Sequence, residues 1–71
     1  MKPSDAVMLA IKQAGKKQAD LTELGFVNSA QAANRKVANS TWTLAELLKV
    51  AEWTGSKLFF QTPDGEQYEL K

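Results

Sequence analysis

The chain contains no cysteine and no histidine. Disulfides, zinc-finger ligand sets, cysteine nucleophiles and Ser-His relays are therefore excluded by inventory. Long apolar runs are missing too, and nothing approaches the roughly 20 consecutive apolar residues of a membrane-spanning helix. The opening Met1-Lys2-Pro3-Ser4 leads straight into an amphipathic stretch, without the basic start, apolar run and cleavage site of a signal peptide. A cytoplasmic location is expected. Catalytic parts are scarce: the eight carboxylates include no pair in an apolar setting that would tune one as acid and the other as base. Gly15-Lys16-Lys17 reads as a helix end, since a phosphate-binding loop needs a longer glycine-bearing turn and a Ser or Thr after the lysine. No enzymatic activity, cofactor or metal is expected.

What is present describes a small globular unit. With 71 residues, 44% of them hydrophobic and 24% charged, the chain is expected to form one domain over 1–71, near the size below which a single apolar core no longer offsets chain entropy. The net charge is only +1, but it is unevenly spread. Residues 1–36 carry six basic and three acidic side chains, whereas residues 37–71 carry three and five. A basic half joined to an acidic half suits a protein with one phosphate-facing side; ordinary scatter of solvated charge is the alternative.

Four helices and a hairpin follow from the pattern. Pro3 tolerates a helix start and the Ser4 hydroxyl offers an acceptor to an orphan N–H, after which Val7, Ala10, Ile11 and Ala14 form one stripe and Gly15 ends the helix. Residues 16–24 predict a second, shorter helix with Leu21 and Leu24 inward, stopped by Gly25. Asn28 or Ser29 caps a third, from Ala30 to about Val37, with Ala33 and Val37 on one face and Gln31, Asn34 and Arg35 on the other. Thr43 and Glu46 form a capping box for the fourth, with Trp42 and Leu47 as its hydrophobic staple; Leu44, Leu47, Leu48 and Ala51 supply its stripe and Gly55 stops it. The tail then changes to alternating period around Thr62-Pro63-Asp64-Gly65, a type I turn with a glycine bulge. Pairing Thr62 with Glu66 sets Phe60 opposite Tyr68 and Leu58 opposite Leu70, all on one side of the ribbon, and leaves Phe59 on the other.

Two short helices joined by a tight glycine-containing connection, the second polar-capped and presenting amides and an arginine, make a helix-turn-helix arrangement. The sequence resembles small bacterial and phage transcriptional regulators with the lambda-repressor-like (Cro/repressor type) helix-turn-helix. Three segments carry the resemblance. Gln18-Ala19-Asp20-Leu21-Thr22 matches the family's Gln, two residues, Leu and a small residue. Ser29 to Val37 matches its Ser cap, polar helix with small residues, basic residue and closing apolar residue, and Trp42-Thr43 with Glu46-Leu47-Leu48 matches its aromatic, hydroxyl, acid and two aliphatics. Residues 4–55 are covered. Two positions depart: Gly25-Phe26 stands where relatives have Leu then Gly, and Ala33 where many have a bulky aliphatic. A locally rearranged turn is expected there, with Phe26 or Val27 filling the space.

The resemblance implies a mainly α, lambda-repressor-like DNA-binding domain, helical over 4–55, with a C-terminal hairpin over 57–71. It implies sequence-specific binding of double-stranded DNA by a small regulator, a repressor of phage or mobile-element type. Ser29, Gln31, Asn34 and Arg35 are the base-edge candidates, since Gln and Asn can contact adenine bidentately, Arg guanine, and an alanine methyl the thymine methyl. The alternative is that the alanines serve helix propensity and the amides are solvated. Lys17, Gln18, Lys36, Asn39 and Thr41 are the phosphate candidates, with Lys16 and Ser40 beside them, and Gln18 is placed to bridge phosphate and recognition helix. Each is otherwise an ordinary surface, turn or cap residue. Trp42 and Trp53 read as core-edge aromatics before ligand cages. The hairpin either covers the helical core or pairs its free edge with a second copy through Phe59 and Gln61, giving a homodimer. The competing class is the same scaffold repurposed to bind a protein partner, in the manner of an antitoxin or a nuclease inhibitor.

Overall fold

A computed structural model describes residues 1–71. Four helices are followed by a two-stranded antiparallel hairpin: α1 (Pro3–Gln13), a 3-10 helix (Gln18–Leu24), α2 (Ala30–Asn39), α3 (Leu44–Thr54), β1 (Leu58–Gln61) and β2 (Gln67–Leu70). No helix is long and apolar enough to cross a membrane.

α1 begins with Lys2 as its N-cap and Pro3 in its first turn, and Asp5 and Lys12 complement its dipole at opposite ends. Ser4 is not the cap that the sequence predicts. It sits one position inside the helix and is buried, because its hydroxyl is used across the fold. Gly15 and Gly55 close α1 and α3 in the same way. Each has a left-handed backbone, and the following residue bonds back to the helix, Lys16 N–H to the Ile11 carbonyl and Ser56 N–H to the Ala51 carbonyl. Ala14 forms the exposed end of α1 and does not join its apolar stripe.

The second helix forms as a 3-10 helix. Its side chains compete locally for the backbone: Asp20 Oδ2 accepts the Lys17 N–H at 2.9 Å and Thr22 Oγ1 donates to the Ala19 carbonyl at 3.0 Å. α2 starts as expected, with Ser29 Oγ accepting the Ala32 N–H at 3.0 Å. It runs two residues beyond Val37 because Ser40 adopts a left-handed cap, φ 52°, and returns its N–H to the Lys36 carbonyl. The α3 capping box is complete, Glu46 N–H to Thr43 Oγ1 at 3.2 Å and Thr43 N–H to Glu46 Oε1 at 2.8 Å.

The core is Val7, Ile11, Leu21, Val27, Ala33 and Val50, ringed by Leu24, Phe26, Val37, Trp42, Leu47 and Trp53 among others. Val27 joins Ala33 in the buried cluster and Phe26 packs against that cluster, its ring meeting Trp42 edge to face at 6.2 Å. α3 is rolled relative to the expected stripe: Val50 is its buried residue, and Leu44 lies exposed. The hairpin has the expected register, Leu58 opposite Leu70 and Phe60 opposite Tyr68, with Gly65 N–H returning to the Thr62 carbonyl in the turn. Its base is tucked in through Leu58 and Leu70, while its outer half projects from the helical body, whose long axis with the hairpin reaches 40 Å against 22 and 18 Å.

Candidate nucleic-acid interface

Ala33 is fully buried, and this fixes which face of α2 looks outward. Gln31, Asn34 and Arg35, at helical positions i, i+3 and i+4, share the exposed face. The small residues Ala30 and Ala38 are exposed at either end of the helix, so the helix backbone can come close to a partner surface. Ser29 lies at its amino end, its oxygen committed to the cap and its hydroxyl hydrogen free to donate.

Gln18 stands at the first position of the 3-10 helix and reaches this face. Its Nε2 donates to Asn34 Oδ1 at 3.3 Å. The contact holds the Asn34 oxygen toward Gln18 and leaves the Asn34 amide hydrogens, and the remaining hydrogen of Gln18, available outward. The 3-10 helix and α2 are thus joined at the surface by the amides of Gln18 and Asn34.

The lysines divide. Lys17 is exposed, its backbone N–H donating to Asp20 Oδ2 and its carbonyl accepting the Asp20 N–H, with its ammonium in no ion pair. Lys12, Lys16, Lys17 and Gln18 line one open groove between the end of α1 and the start of the 3-10 helix, on a floor that includes Met8 and Ile11. Lys12 is a basic residue at this edge that the sequence reading passed over, because no local spacing ties the last turn of α1 to Gln18. Lys16 stands over the Trp53 ring, 4.8 Å from its centroid.

Lys36 departs from its expected role on phosphate. Its ammonium meets Glu46 Oε1 at 2.7 Å, its side chain is only 17% exposed, and it lies 5.9 Å from the centroids of both Phe26 and Trp42. Charge and stem are both used inside the fold. Glu46 responds in kind. Burial works to raise its pKa, but the hydrogen bond from Lys36, the Thr43 N–H, the Lys36 charge and the Thr43 hydroxyl together outweigh it and hold the carboxylate below its ordinary 4.5.

Asn39 and Thr41 are exposed on either side of the left-handed Ser40. Ser40 faces inward: its Oγ lies 3.4 Å from the Ser4 N–H. Ser4 Oγ in turn donates to the Val37 carbonyl at 2.6 Å and accepts the Trp42 indole N–H at 2.9 Å. This buried relay anchors the carboxyl end of α2, and only a bare serine among helix residues marks it in the sequence. No cluster of three or more potential metal ligands is present. No protein-family model, curated protein or solved structure matches the chain.

Proposed function

We propose that this chain is a small sequence-specific DNA-binding regulator of the lambda-repressor-like helix-turn-helix type, acting by occupying an operator in duplex DNA. The observation that carries the reading is the shared outward face of Gln31, Asn34 and Arg35 with Gln18 bonded to Asn34 beneath it. α2 is the element to enter the major groove. Asn34, its amide orientation set by Gln18, presents hydrogens toward an adenine edge, Arg35 suits guanine O6 and N7, and Gln31 reads a neighbouring base. Lys17, Gln18, Asn39 and Thr41 flank the helix as phosphate contacts, and the lysine-lined groove of Lys12 and Lys16 extends that footprint. Lys36 drops out of the phosphate set because Glu46 already neutralises it. The mechanism needs neither cofactor nor covalent step. A cytoplasmic setting, repression, and an origin in phage or mobile elements belong to the same reading, supported by the resemblance of residues 4–55.

A two-fold dimer fits the reading, because it would bring two copies of α2 to half-sites about 34 Å apart on one side of the duplex. A protein partner is the competing reading, favoured by one observation: Phe60 and Tyr68 stand 65% and 57% exposed on a chain whose net charge is only +1. Selection from randomised duplexes at two salt concentrations tests both. Enrichment of a palindrome, with affinity falling steeply as salt rises, supports operator binding. Recovery of no sequence, with salt-insensitive capture of a protein ligand, replaces it with the second reading.

A further inference from the structure

α1 carries apolar side chains on two sides. Val7 and Ile11 are buried in the core, whereas Leu9 is 55% exposed and is not among the residues packed on it. Asp5, Met8, Leu9 and Lys12 stand at positions i, i+3, i+4 and i+7, so they form a second stripe along the helix. This stripe is one wall of the groove that ends at Lys16, Lys17 and Gln18. The groove encloses about 500 Å³, within the roughly 300–1,000 Å³ of sites that receive an organic ligand and more than a lone ion needs.

Charge is separated along it. Three ammonium groups gather at one end and the Asp5 carboxylate lies at the other. The ion pairs of the fold use Lys36, Lys57 and Lys71, so Lys12, Lys16 and Lys17 keep their charge for a partner. Lys16 is already held over the Trp53 ring, which lessens the side-chain entropy that binding would cost. The phosphates of a duplex at Lys17 and Gln18 use only the basic end. Beyond Lys12 the groove offers them hydrocarbon at Leu9 and a like charge at Asp5.

We propose that this groove receives an acidic amphipathic helix of a partner protein, which competes there with the duplex for Lys17 and Gln18. The competition rests on the DNA-binding reading; the affinity of the groove for the helix does not. Aliphatic side chains of the partner cover Met8 and Leu9, its carboxylates meet the three lysines, and a basic residue meets Asp5. A helix suits the site better than an extended segment, because α1 bonds its own backbone internally and has no sheet edge to offer. An extended chain on this apolar floor would leave N–H and C=O groups unpaired. A helix brings its own satisfied and reads the stripe through side chains alone. From Asp5 to Lys12 the stripe spans about 10 Å, so a partner helix of about three turns covers it together with Lys16.

The test uses the full chain and a fluorescein-labelled, alanine-based helical peptide. Its probe sequence carries two leucines one turn apart, glutamates toward one end and a lysine toward the other. Anisotropy should show saturable binding, and a peptide of the same composition with its leucines on opposite faces should bind about tenfold more weakly. Leu9→Ser removes the exposed apolar anchor and should weaken the probe about tenfold with the far-ultraviolet circular dichroism unchanged; Lys12→Glu should weaken it at least as much. Leu9→Ser should leave affinity for the selected operator duplex unchanged, and the probe should displace that duplex. Equal binding of the two peptides, or indifference to Leu9→Ser, would mean unspecific charge attraction and overturns the proposal. So does a loss of duplex affinity in Leu9→Ser as large as the loss of probe affinity, or a duplex and probe bound together. Probe binding as expected on a chain that binds no duplex of any sequence would instead remove the operator reading and leave the groove's partner standing.

Discussion

Trp42 and Ser4, 38 positions apart, are joined by a hydrogen bond of 2.9 Å from the indole Nε1 to the serine Oγ. The same hydroxyl donates to the Val37 carbonyl, one of the last carbonyls of α2 that no further turn can satisfy. One buried oxygen thus ties the start of α1, the end of α2 and the approach to α3. Ser4→Ala removes it and leaves the indole N–H and the carbonyl without these partners. The expected loss of stability is about 1–3 kcal/mol, the usual cost of an unsatisfied buried polar group. Urea unfolding followed by tryptophan fluorescence measures it, and an unchanged midpoint would show that solvent replaces the hydroxyl at no cost.

Glu46 and Lys36 give the fold a dependence on acid. The Glu46 pKa is depressed in the folded chain, so the native state holds the carboxylate ionised over a range where the unfolded chain begins to bind a proton. Its contribution is present above the ordinary carboxylate pKa and is lost as pH falls through the lowered folded value. Stability against urea should therefore decline on acidification below about pH 4.5, more steeply in the natural chain than in Glu46→Gln. At neutral pH that variant should be the less stable of the two, because it leaves the Lys36 ammonium under the rings of Phe26 and Trp42 without its counter-charge. Parallel pH profiles would show that the ion pair contributes nothing.

Features set by local spacing were legible in the sequence, and features set by distant contact were not. The capping box of Thr43 and Glu46, the Ser29 cap and the register of the hairpin each depend on residues a few positions apart, so the chain states them directly. The inward side of α2 was legible for a related reason: Ala33 and Val37 are separated by one turn. The roll of α3 was missed, since its leucines outweigh Val50 in any apolar stripe while packing against α1 selects Val50. Lys36 was read as a phosphate contact because its partner Glu46 is brought near only by the turn through Ser40 and Thr41. Ser4 was read as a cap because its partners, Val37 and Trp42, lie on the far side of the chain. The outward trio of Gln31, Asn34 and Arg35 could be named from the helix alone; the hydrogen bond from Gln18 to Asn34 could not.

The lysines should separate on DNA. Lys17→Ala should weaken binding to all sequences alike and lower the salt slope by about 0.9, the loss of one phosphate contact. Lys36→Ala should leave the salt slope unchanged and lower the unfolding midpoint instead, because its charge is spent on Glu46. Salt titrations of both variants on one operator duplex, alongside urea unfolding, make the comparison. A reduced slope for Lys36→Ala would restore it to the phosphate set.

Arg35 and Gln18 test the reading face itself. Arg35→Ala should cost about 1–3 kcal/mol on the selected operator and relax preference at a single base position, with little change on random duplex. Gln18→Ala acts twice, by removing a phosphate donor and by freeing the Asn34 amide that it orients at 3.3 Å. It should therefore weaken binding to every sequence and also blur the base read by Asn34, whereas Asn34→Ala should blur that base alone. In the double variant the specificity losses should not add, since both act through one amide. If Gln18→Ala lowered affinity uniformly and left the base preference of Asn34 intact, the contact between the two side chains would have no part in recognition.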